Sequence, residues 1–510
     1  MKIIIVPIDN RPCVMQFPKK LAEMAGFSVS MPPEELLGRF TEPGRPEEIL
    51  QWLKKTASKD SVLLISADMM IYGGLIASRS ANQDGSKITQ RTESLKEFLS
   101  SKPCRKAALF SVIMRTFPTF LNSTDIAISG SFKKAIESLF PQKKLTDREF
   151  ADRLAIENSR AGLEGILPKY LELRKRNASI NEAVCRWKKQ GIIDMLAIGL
   201  DDVVCMGPNI HEAQKLEQML NGEKDASVCR GTDELPMTMI AYLASKETGI
   251  SPTFSIEYSS KKGSEAKTIY EQKTVREVIE ESVRAAGFEI KDNDGDIKIF
   301  CNAPDSRQKE TELQHISVPS SKKKFIKARS DEIKKGGYAA LADLAYANGS
   351  EIAVRNELLE HADPVLVPAY AGWNTSVNTA GTAVARAALK YISEKTGRFN
   401  PAKHAEFIME RILDDCEYES SLRASLKLKR LAKGLSVLNM SELDRAETAM
   451  SISLKLREKA DKIFSSFFKG HHKMSSGKTI DIKSASFLFD LPWPRLFEIK
   501  AEAEFEAEEL

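Results

Sequence analysis

The stretch DMLAIGLDDVVCMGPN, residues 194–209, is the most informative about the fold, because in it an apolar strand leads directly into two acids. Its apolar run, Met195–Leu200, shows no alternation of polar and apolar residues. Continuous apolar runs of this kind are typical of strands that are covered on both faces of a parallel sheet. Asp201 and Asp202 follow at the carboxyl end of the strand, where parallel α/β sheets bind ligands. The stretch therefore predicts an α/β fold with a site at this edge of the sheet.

Further runs of the same kind predict more strands of a parallel sheet, and helix-period segments such as Pro46–Thr56 separate them. The runs are Ile3–Pro7, Val62–Ala67, Ala107–Ile113, Thr253–Tyr258, Ile297–Cys301, Tyr338–Ala342 and Val365–Ala369. Eight strands suit a (β/α)8-like barrel, which we favour because polar residues follow the strands along the whole length. Two weaker strands, Phe27–Ser30 and Ser227–Arg230, would instead suit two doubly wound α/β domains. That alternative stays open at this point.

Composition divides the chain into two parts. Residues 1–398 are predicted to form an α/β catalytic-type domain, with a helical insertion at about 130–190 that is rich in Lys, Arg, Glu and Leu. Residues 399–510 are predicted to form a helical C-terminal region that ends in a short β element.

The charge balance excludes several classes of partner. A net charge of +4, from 75 basic and 71 acidic residues, is too small to attract nucleic acid or an anionic membrane through the overall charge. No window approaches the ~18 apolar residues of a membrane-spanning helix. The apolar run after Met1 stops at Asp9, too early for a signal peptide, so we expect a cytoplasmic protein. A small molecule or an oligosaccharide is the expected partner, and the oligomeric state is left open.

Polar side chains that follow the predicted strands are the candidates for binding substrate. They are Asp9, Arg11, Asp68, Tyr72, Arg115, Asp233, Glu234, Asp343, Asn348, Tyr370, Trp373, Asn374 and Asn378. Loops at this edge of a parallel sheet vary over a rigid scaffold, which is why they often carry function. The structural alternative is that such acids cap helices or form ion pairs, Asp9 with Arg11 and Asp68 with Arg79.

The doublet Asp201-Asp202 is the predicted catalytic pair. Two neighbouring carboxylates at a half-buried strand end repel each other, so the pKa of one of them should rise. A protonated acid beside an ionised partner is the arrangement that general acid–base chemistry uses, as in glycosidases. Trp373 would stack on a sugar ring, and Asn374 and Asn378 would bind its hydroxyls.

A second hypothesis uses the same acids as ligands of a divalent metal. Asp9, Asp68, Asp201 and Asp202 offer the oxygen atoms that Mg²⁺ or Mn²⁺ prefers. The enzyme would then be a lyase, isomerase or hydrolase of a small polyol or sugar acid. No dedicated metal motif supports this, and we expect no resident cofactor. A third hypothesis is a sugar-binding protein without catalytic activity.

Several motifs resemble those of the bacterial domain-of-unknown-function 4127 family (DUF4127). They are PIDNRP, SADMMIYGGLIASR, IMR, GLDDVVCMGP, GTDE, ANG, YAGWNTSVNTAGT and LPWPRLFE, which span nearly the whole chain. The resemblance implies a bacterial protein and transfers no established activity. A thinner analogy links the chain to substrate-assisted N-acetylhexosaminidases, in which an Asp-Asp pair at a mid-barrel strand end does the chemistry. This analogy would make Asp201 the residue that orients the acetamido group and Asp202 the acid. We therefore expect a carbohydrate-active enzyme, a glycoside hydrolase in the first place.

Overall fold

The computed structural model describes residues 1–80, 83–117, 123–141, 145–160, 162–201, 207–314, 320–334, 336–474 and 477–510. The chain divides into two compact units. The first consists of residues 1–10 and 30–232, and the second of residues 11–29 and 233–510. Each unit is built around its own mainly parallel sheet.

The strands are mostly short, except for the two long ones near the C-terminus. They are β1 (Lys2–Val6), β2 (Ser28–Ser30), β3 (Ser61–Ser66), β4 (Lys106–Ile113), β5 (Met195–Leu200), β6 (Ala226–Arg230), β7 (Thr253–Tyr258), β8 (Glu289–Ile290), β9 (Ile297–Asn302), β10 (Lys309–Glu310), β11 (Ala339–Asp343), β12 (Tyr346–Ala347), β13 (Tyr370–Ala371), β14 (Gly470–Lys473), β15 (Thr479–Asp490) and β16 (Lys500–Glu509).

The helices alternate with the strands as far as residue 400 and then dominate until β14. They are α1 (Pro12–Met24), α2 (Pro46–Thr56), α3 (Ala67–Tyr72), α4 (Leu75–Ser78), α5 (Gly85–Ser100), α6 (Ser123–Leu139), α7 (Asp147–Asn158), α8 (Ile166–Lys189), α9 (Pro208–Leu220), α10 (Leu235–Thr248), α11 (Lys261–Ser264), α12 (Val275–Ala285), α13 (Ser320–Lys334), α14 (Ile352–His361), α15 (Ser376–Lys395), α16 (Pro401–Arg411), α17 (Arg423–Ala432) and α18 (Glu442–Phe467). Two short 3-10 segments, Glu34–Leu36 and Thr311–Leu313, and a π-helix, Ile412–Leu422, complete the set.

The first sheet has six strands in the order β2-β1-β3-β4-β5-β6, and the registered pairs from β1 to β6 are parallel. Strands β3 and β4 are almost entirely buried, which explains their continuous apolar sequences. Three helices, α6 to α8, lie between β4 and β5, where the sequence predicts a helical insertion. Phe132, Ile136 and Leu167 belong to the small core of that insertion.

The second sheet has five strands in the order β13-β11-β9-β7-β8, again with parallel pairs. In the first sheet the chain passes from β1 to the edge strand β2 and then crosses to β3, on the opposite side of β1. In the second sheet it passes in the same way from β7 to the edge strand β8 and then to β9, on the opposite side of β7. That reversal is typical of doubly wound α/β sheets. The described strands thus form open sheets with free edges, and the structure confirms the α/β class but not the favoured barrel.

Residues 399–510 share one hydrophobic core with the second sheet. Phe300 and Leu341 from the sheet lie in the same cluster as Ile408, Ile452 and Ile499 from the C-terminal part. Strands β14, β15 and β16 form an antiparallel three-stranded sheet, and β15 pairs with β16 along almost its full length. None of the helices in the described part of the chain combines the length and the apolar character needed to cross a membrane.

The end of β9 and the short helix α11 approach each other so closely that only glycine fits at residue 263. A Cβ atom on Gly263 would lie 1.8 Å from the carbonyl oxygen of Pro304. We predict that Gly263→Ala lowers the free energy of unfolding by about 2 kcal/mol or more, because backbone would have to move. The midpoint of urea denaturation measures this.

Gly85 provides the matched control, because a Cβ atom there would meet nothing within 4 Å at the start of α5. Gly85→Ala should change the stability by no more than about 0.5 kcal/mol. Equal midpoints for the two variants would show that the close approach at Pro304 does not exist.

Candidate functional site

Asp201 is a buried ion-pair partner in the first unit. Its carboxylate accepts a hydrogen bond from Arg79, and both side chains are about nine-tenths buried. Its backbone N–H donates to the carbonyl of Ile113 at 3.2 Å, which fixes the end of β5 beside β4. Asp202, the other half of the predicted catalytic pair, lies outside the described residues.

Asp68 and Asp9 follow neighbouring strands of the first sheet, β3 and β1, and both are buried. Asp68 accepts a hydrogen bond from the backbone N–H of Val112 at 3.0 Å and one from the hydroxyl of Ser111 at 3.4 Å. Burial raises the pKa of Asp68 to about 7, although these two hydrogen bonds and Arg79 oppose the rise. Arg79 therefore pairs directly with Asp201, and its charge also acts on Asp68.

Two other predicted residues of the first unit have structural contacts. The guanidinium of Arg176 lies over the ring of buried Tyr72, 4.9 Å from its centre. Arg115 is half-buried, and its carbonyl oxygen accepts a hydrogen bond from Arg174 at 2.9 Å.

Arg11 and Asp233 form a bidentate ion pair in the second unit. The chain enters the second unit twice, at Arg11 and at Asp233. Nη1 and Nη2 of Arg11 donate to the two carboxylate oxygens of Asp233 at 3.0 and 2.8 Å. Arg11 also lies 5.2 Å from the centre of the Trp493 ring. The sequence predicts both charges as site residues, and the structure joins them to each other.

Glu234 and Asn378 meet at the adjoining ends of α10 and α15. Nδ2 of Asn378 donates to Glu234 at 2.7 Å, and Nδ2 of Asn374 donates to Oδ1 of Asn378 at 2.8 Å. Burial raises the pKa of Glu234 to about 8, with a smaller contribution from the charge of Asp233. A carboxyl group in this state keeps its proton at neutral pH.

Asp343 belongs to a buried network at the carboxyl ends of β9 and β11. It accepts hydrogen bonds from Nδ2 of Asn302 and from the backbone N–H of Glu351, both at 2.8 Å. Burial raises its pKa to about 7, helped by the charge of Glu351. Asn348 has a left-handed backbone, φ 59°, and donates to Glu310 at 2.8 Å. The hydrogen bonds described for Asp343 and Asn348 thus join them to other residues of the protein.

The aromatic residues of the YAGWN motif are packed into the interior of the second unit. Nε1 of Trp373 donates to Thr382 at 3.1 Å, and its ring meets Phe17 edge to face at 5.4 Å. The hydroxyl of Tyr370 lies 3.1 Å from the sulfur of Cys416. Trp373 is 5% exposed, so it does not form the open platform that the sequence predicts.

Two acids that the sequence analysis missed, Asp414 and Glu419, lie on the π-helix. In a π-helix the backbone bonds join residues five apart, and here the N–H of Arg423 donates to the carbonyl of Tyr418. Residues i and i+5 therefore share a face, whereas in an α-helix the shared face belongs to i, i+3 and i+4. The available signal was the second Asp-Asp doublet of the chain, at 414–415, within an otherwise buried helix.

Asp414 and Glu419 line a pocket of the second unit. It is a shallow pocket: the space enclosed by protein is about 20 Å³, roughly the room for one water molecule, and the figure reaches about 370 Å³ only when the open solvent at its mouth is included. Its other lining residues are three aromatic and several charged or small ones: Phe17, Trp373, Phe497, Arg11, Asp233, Glu498, Pro12, Cys13, Asn374 and Ile499. An apolar pocket with a few convergent charged groups is the usual form of a small-molecule site.

One oxygen of each π-helix acid has no hydrogen-bond partner in the protein. Oδ1 of Asp414 and Oε2 of Glu419 are buried and unsatisfied. The other oxygens face cations, since Asp414 accepts from Arg411 at 3.1 Å and Glu419 lies 3.7 Å from Arg423. An unsatisfied buried polar atom is costly, so these two oxygens are the places where a ligand would gain most by donating a hydrogen bond.

Burial and the neighbouring charges shift the pKa values of both Asp414 and Glu419. Burial raises the pKa of Glu419 well above its ordinary value, and the charges of Asp414 and Asp415 add to this while Arg423 opposes it. Burial also raises the pKa of Asp414, but Arg411 opposes the rise through both its charge and a hydrogen bond. Both carboxyl groups thus have raised pKa values, and the rise is stronger for Glu419, which makes Glu419 the better candidate for a proton donor.

A possible metal-ligand grouping lies elsewhere. Among the described residues, three side chains whose ligand atoms lie within 4.8 Å of one another are Glu357, Glu360 and His361 on α14. Glu360 is exposed, and Glu357 pairs with Lys323 at 2.7 Å, as surface side chains commonly do. The acids of the metal hypothesis, Asp9, Asp68 and Asp201, are not members of this grouping.

Comparison with known families places the chain in one of them. A family model described as "Protein of unknown function (DUF4127)" matches residues 3–502. The chain belongs to the DUF4127 family. The match runs through both units and includes the π-helix and the pocket. No curated protein and no solved structure matches the chain. For this DUF4127 protein the function must therefore be argued from the site.

We predict that Asp68 makes the stability of the protein depend on pH. Its pKa is about 7 in the folded protein and lies near 3.8 when the chain is unfolded. Its stabilising contribution is complete below about pH 4 and is lost as the pH rises through 7. Between these limits the stability of the wild type relative to Asp68→Asn should fall, by at most about 4 kcal/mol.

Urea denaturation at several pH values measures this difference. Asp60→Asn is the control, because Asp60 is an exposed acid of the same unit. A difference between wild type and Asp68→Asn that stays constant from pH 4 to 8 would contradict the assignment of a raised pKa to Asp68.

Proposed function

We propose that the protein is a carbohydrate-active hydrolase whose proton donor and base are Glu419 and Asp414. The observation that carries the proposal is their placement five residues apart on a π-helix, lining one pocket, each with an unsatisfied buried oxygen. Glycoside hydrolysis needs one protonated and one ionised carboxyl group facing the same bond. What supports this assignment is that burial raises the pKa of Glu419 well above its ordinary value, whereas Arg411 opposes the rise at Asp414 through both its charge and a hydrogen bond.

The reaction follows from these two states. Glu419 transfers its proton to the oxygen that leaves the anomeric carbon, so that the glycosidic bond breaks. Asp414 takes a proton from a water molecule, whose oxygen bonds to the same carbon. The products are the alcohol of the leaving group and a sugar whose anomeric carbon is a hemiacetal, and the proton gained by Asp414 returns to Glu419 through solvent. General acid–base catalysis of this kind contributes about 10²–10⁴ to the rate.

The surroundings of the pair suit a sugar. Phe497 and Trp373 line the pocket with apolar surface that can meet the C–H face of a ring, and Asn374 adds a side-chain carbonyl oxygen and an amide. The Arg11–Asp233 pair provides a fixed donor and acceptor at the pocket wall. A hydroxyl-rich ligand can donate to the free oxygens of Asp414 and Glu419, which an apolar ligand cannot do.

The pair Asp201-Asp202 remains a second proposal for the catalytic acids. The ion pair with Arg79 holds the carboxylate of Asp201 in a fixed position, which suits a residue that orients or polarises a substrate amide. The two proposals make different predictions for the same set of variants.

We predict that Glu419→Gln and Asp414→Asn each reduce kcat/KM by about 10²–10⁴ on a glycoside that the wild type cleaves, because the proton donor or the base is lost. The substrate is found with a panel of aryl glycosides that includes N-acetylhexosaminides. Glu417→Gln is the control, since Glu417 lies on the same π-helix but pairs with Arg355 and Lys459 outside the pocket.

Three outcomes of this assay oppose the proposal. Full activity of both pocket variants together with loss in Asp201→Asn would move the chemistry to the first unit. Loss of wild-type activity in chelator, restored by Mg²⁺ or Mn²⁺, would favour the metal-dependent alternative. Tight sugar binding by the wild type without turnover would favour the sugar-binding protein.

A further inference from the structure

One side chain, Arg423, contacts three different parts of the pocket's surroundings. Arg423 is 6% exposed and is the first residue of α17, directly after the π-helix. Its backbone N–H donates to the carbonyl of Tyr418, so the i to i+5 pattern of the π-helix determines where its side chain begins. A guanidinium keeps its charge when it is buried, and its N–H groups then need partners inside the protein.

The first contact is with a wall of the pocket. Nη1 of Arg423 donates to the carbonyl oxygen of Phe497 at 2.9 Å, and the guanidinium lies 5.6 Å from the centre of the Phe497 ring. Phe497 lines the pocket and belongs to residues 491–499, which join β15 to β16 without regular secondary structure. Because no ladder of backbone hydrogen bonds holds this segment, side-chain donors such as Arg423 help to determine where Phe497 lies.

The second contact reaches another lining residue through one intermediate. Nη2 of Arg423 donates to the carbonyl of Asn348 at 2.5 Å. The backbone N–H of Asn348 in turn donates to the carbonyl of Asn374 at 2.7 Å, and Asn374 lines the pocket. Asn348 and Asn374 both have left-handed backbones, with φ of 59° and 51°, a conformation that persists where surrounding contacts hold it. Arg423 therefore helps to fix the turn that presents Asn374.

The third contact is with Glu419, the proton donor of the proposed reaction. Nη1 of Arg423 lies 3.7 Å from Oε1 of Glu419. This distance is too long for a hydrogen bond, but the opposite charges attract each other in the buried surroundings. The oxygen that has no hydrogen-bond partner among the described residues is the other one, Oε2. Arg423 thus acts on Glu419 through Oε1 and leaves Oε2 available to a ligand.

We propose that Arg423 is a positioning residue, which holds the carboxyl group of Glu419 in a fixed relation to the pocket residues Phe497 and Asn374. The inference rests on the proposed function, because it takes Glu419 as the proton donor. The guanidinium is planar and its donors point in fixed directions, whereas the ammonium group of lysine carries the same charge without that fork. The charge of Arg423 and the directions of its hydrogen bonds therefore have separate, measurable effects.

Other charged groups also face Glu419. Burial raises its pKa most, and the charges of Asp414 and Asp415 on the same π-helix add to the rise. Arg423 and Arg411 oppose it. The rest of the pocket adds two ion pairs, Arg11 with Asp233 and Arg495 with Glu498. Removing the charge of Arg423 leaves all the other groups in place, so the pKa of Glu419 should rise further.

Two substitutions separate the charge from the hydrogen bonds. Arg423→Met removes both, and Arg423→Lys keeps the charge but not the fork. On a glycoside that the wild type cleaves, both variants should raise KM by about tenfold, because the pocket walls shift in both. The basic limb of the pH profile of kcat/KM follows the proton of Glu419, and it should move up by about one pH unit in Arg423→Met alone.

Arg445→Met is the matched control. Arg445 donates to the carbonyl of Leu491 at 2.8 Å, at the start of the same segment, but it is not among the residues that line the pocket. Its loss should leave both KM and the basic limb as in the wild type. The midpoint of urea denaturation shows whether each variant is folded. If Arg423→Met does not fold, Arg423→Lys still decides, since a wild-type KM in that variant would overturn the role of the fork.

Carbon NMR of labelled glutamate side chains tests the inference without a substrate. The pKa of Glu419 should be higher in Arg423→Met than in the wild type and nearly unchanged in Arg423→Lys. The signals of the Phe497 ring and the Asn374 side chain should move in both variants but not in Arg445→Met. A protein that cleaves no glycoside but shows these changes would refute the proposed function and leave the role of Arg423 in the pocket standing.

Three results would overturn the inference. One is a KM and a basic limb in Arg423→Met that match the wild type while Glu419→Gln is inactive. Another is a pKa of Glu419 that is the same in the wild type and in Arg423→Met. The third is a set of Phe497 and Asn374 signals that stays in place in both variants, which would show that Arg423 does not hold the walls.

Discussion

The register of the π-helix is the constraint on which the account of the pocket depends. Eleven residues, 412–422, follow the i to i+5 pattern, although π-helical segments in proteins are mostly single turns. An α-helical register would turn Asp414 and Glu419 to different faces and leave at most one of them in the pocket. The π register aligns them, and it does so within a segment that is buried over almost its whole length.

Holding so many acids in the interior is expensive, and the neighbouring structure offsets the cost. Asp415 accepts hydrogen bonds from Arg411 at 2.7 Å and from the backbone N–H of Gly372 at 2.7 Å. Glu417 is paired with Arg355 and Lys459. Among the acids of the π-helix, Asp414 and Glu419 are the two that keep an unsatisfied oxygen, as one expects where binding is to take place. The apolar side of the π-helix, with Leu413 and Tyr418, anchors it in the core of the second unit.

Much of the fold could be predicted from the sequence, because buried parallel strands have continuous apolar runs. Met195–Leu200 and Thr253–Tyr258 were predicted with the bounds that the structure gives them. The run Val365–Ala369 was not a strand, since Pro368 cannot donate a ladder hydrogen bond, and pairing starts only at Tyr370. The barrel was favoured because polar residues follow strand after strand, but an open parallel sheet produces the same pattern at its carboxyl edge.

The site was harder to predict than the fold. Arg11, Asp233, Trp373 and Asn374 were predicted and do line the pocket. Asp414 and Glu419 were missed, because residue preferences do not separate an α from a π register and the choice depends on distant partners such as Gly372. The pairing of Arg79 with Asp201 likewise joins residues 122 positions apart, which no local pattern reports.

The most direct test of the account is the pKa of Glu419 measured in the wild type and in Asp414→Asn, by carbon NMR of labelled glutamate side chains. If the π register places the two carboxyls on one face, removing the charge of Asp414 should lower the pKa of Glu419, because a like charge that disfavours ionisation is gone. An identical pKa in the two proteins would show that the acids do not share a pocket and would contradict the central claim.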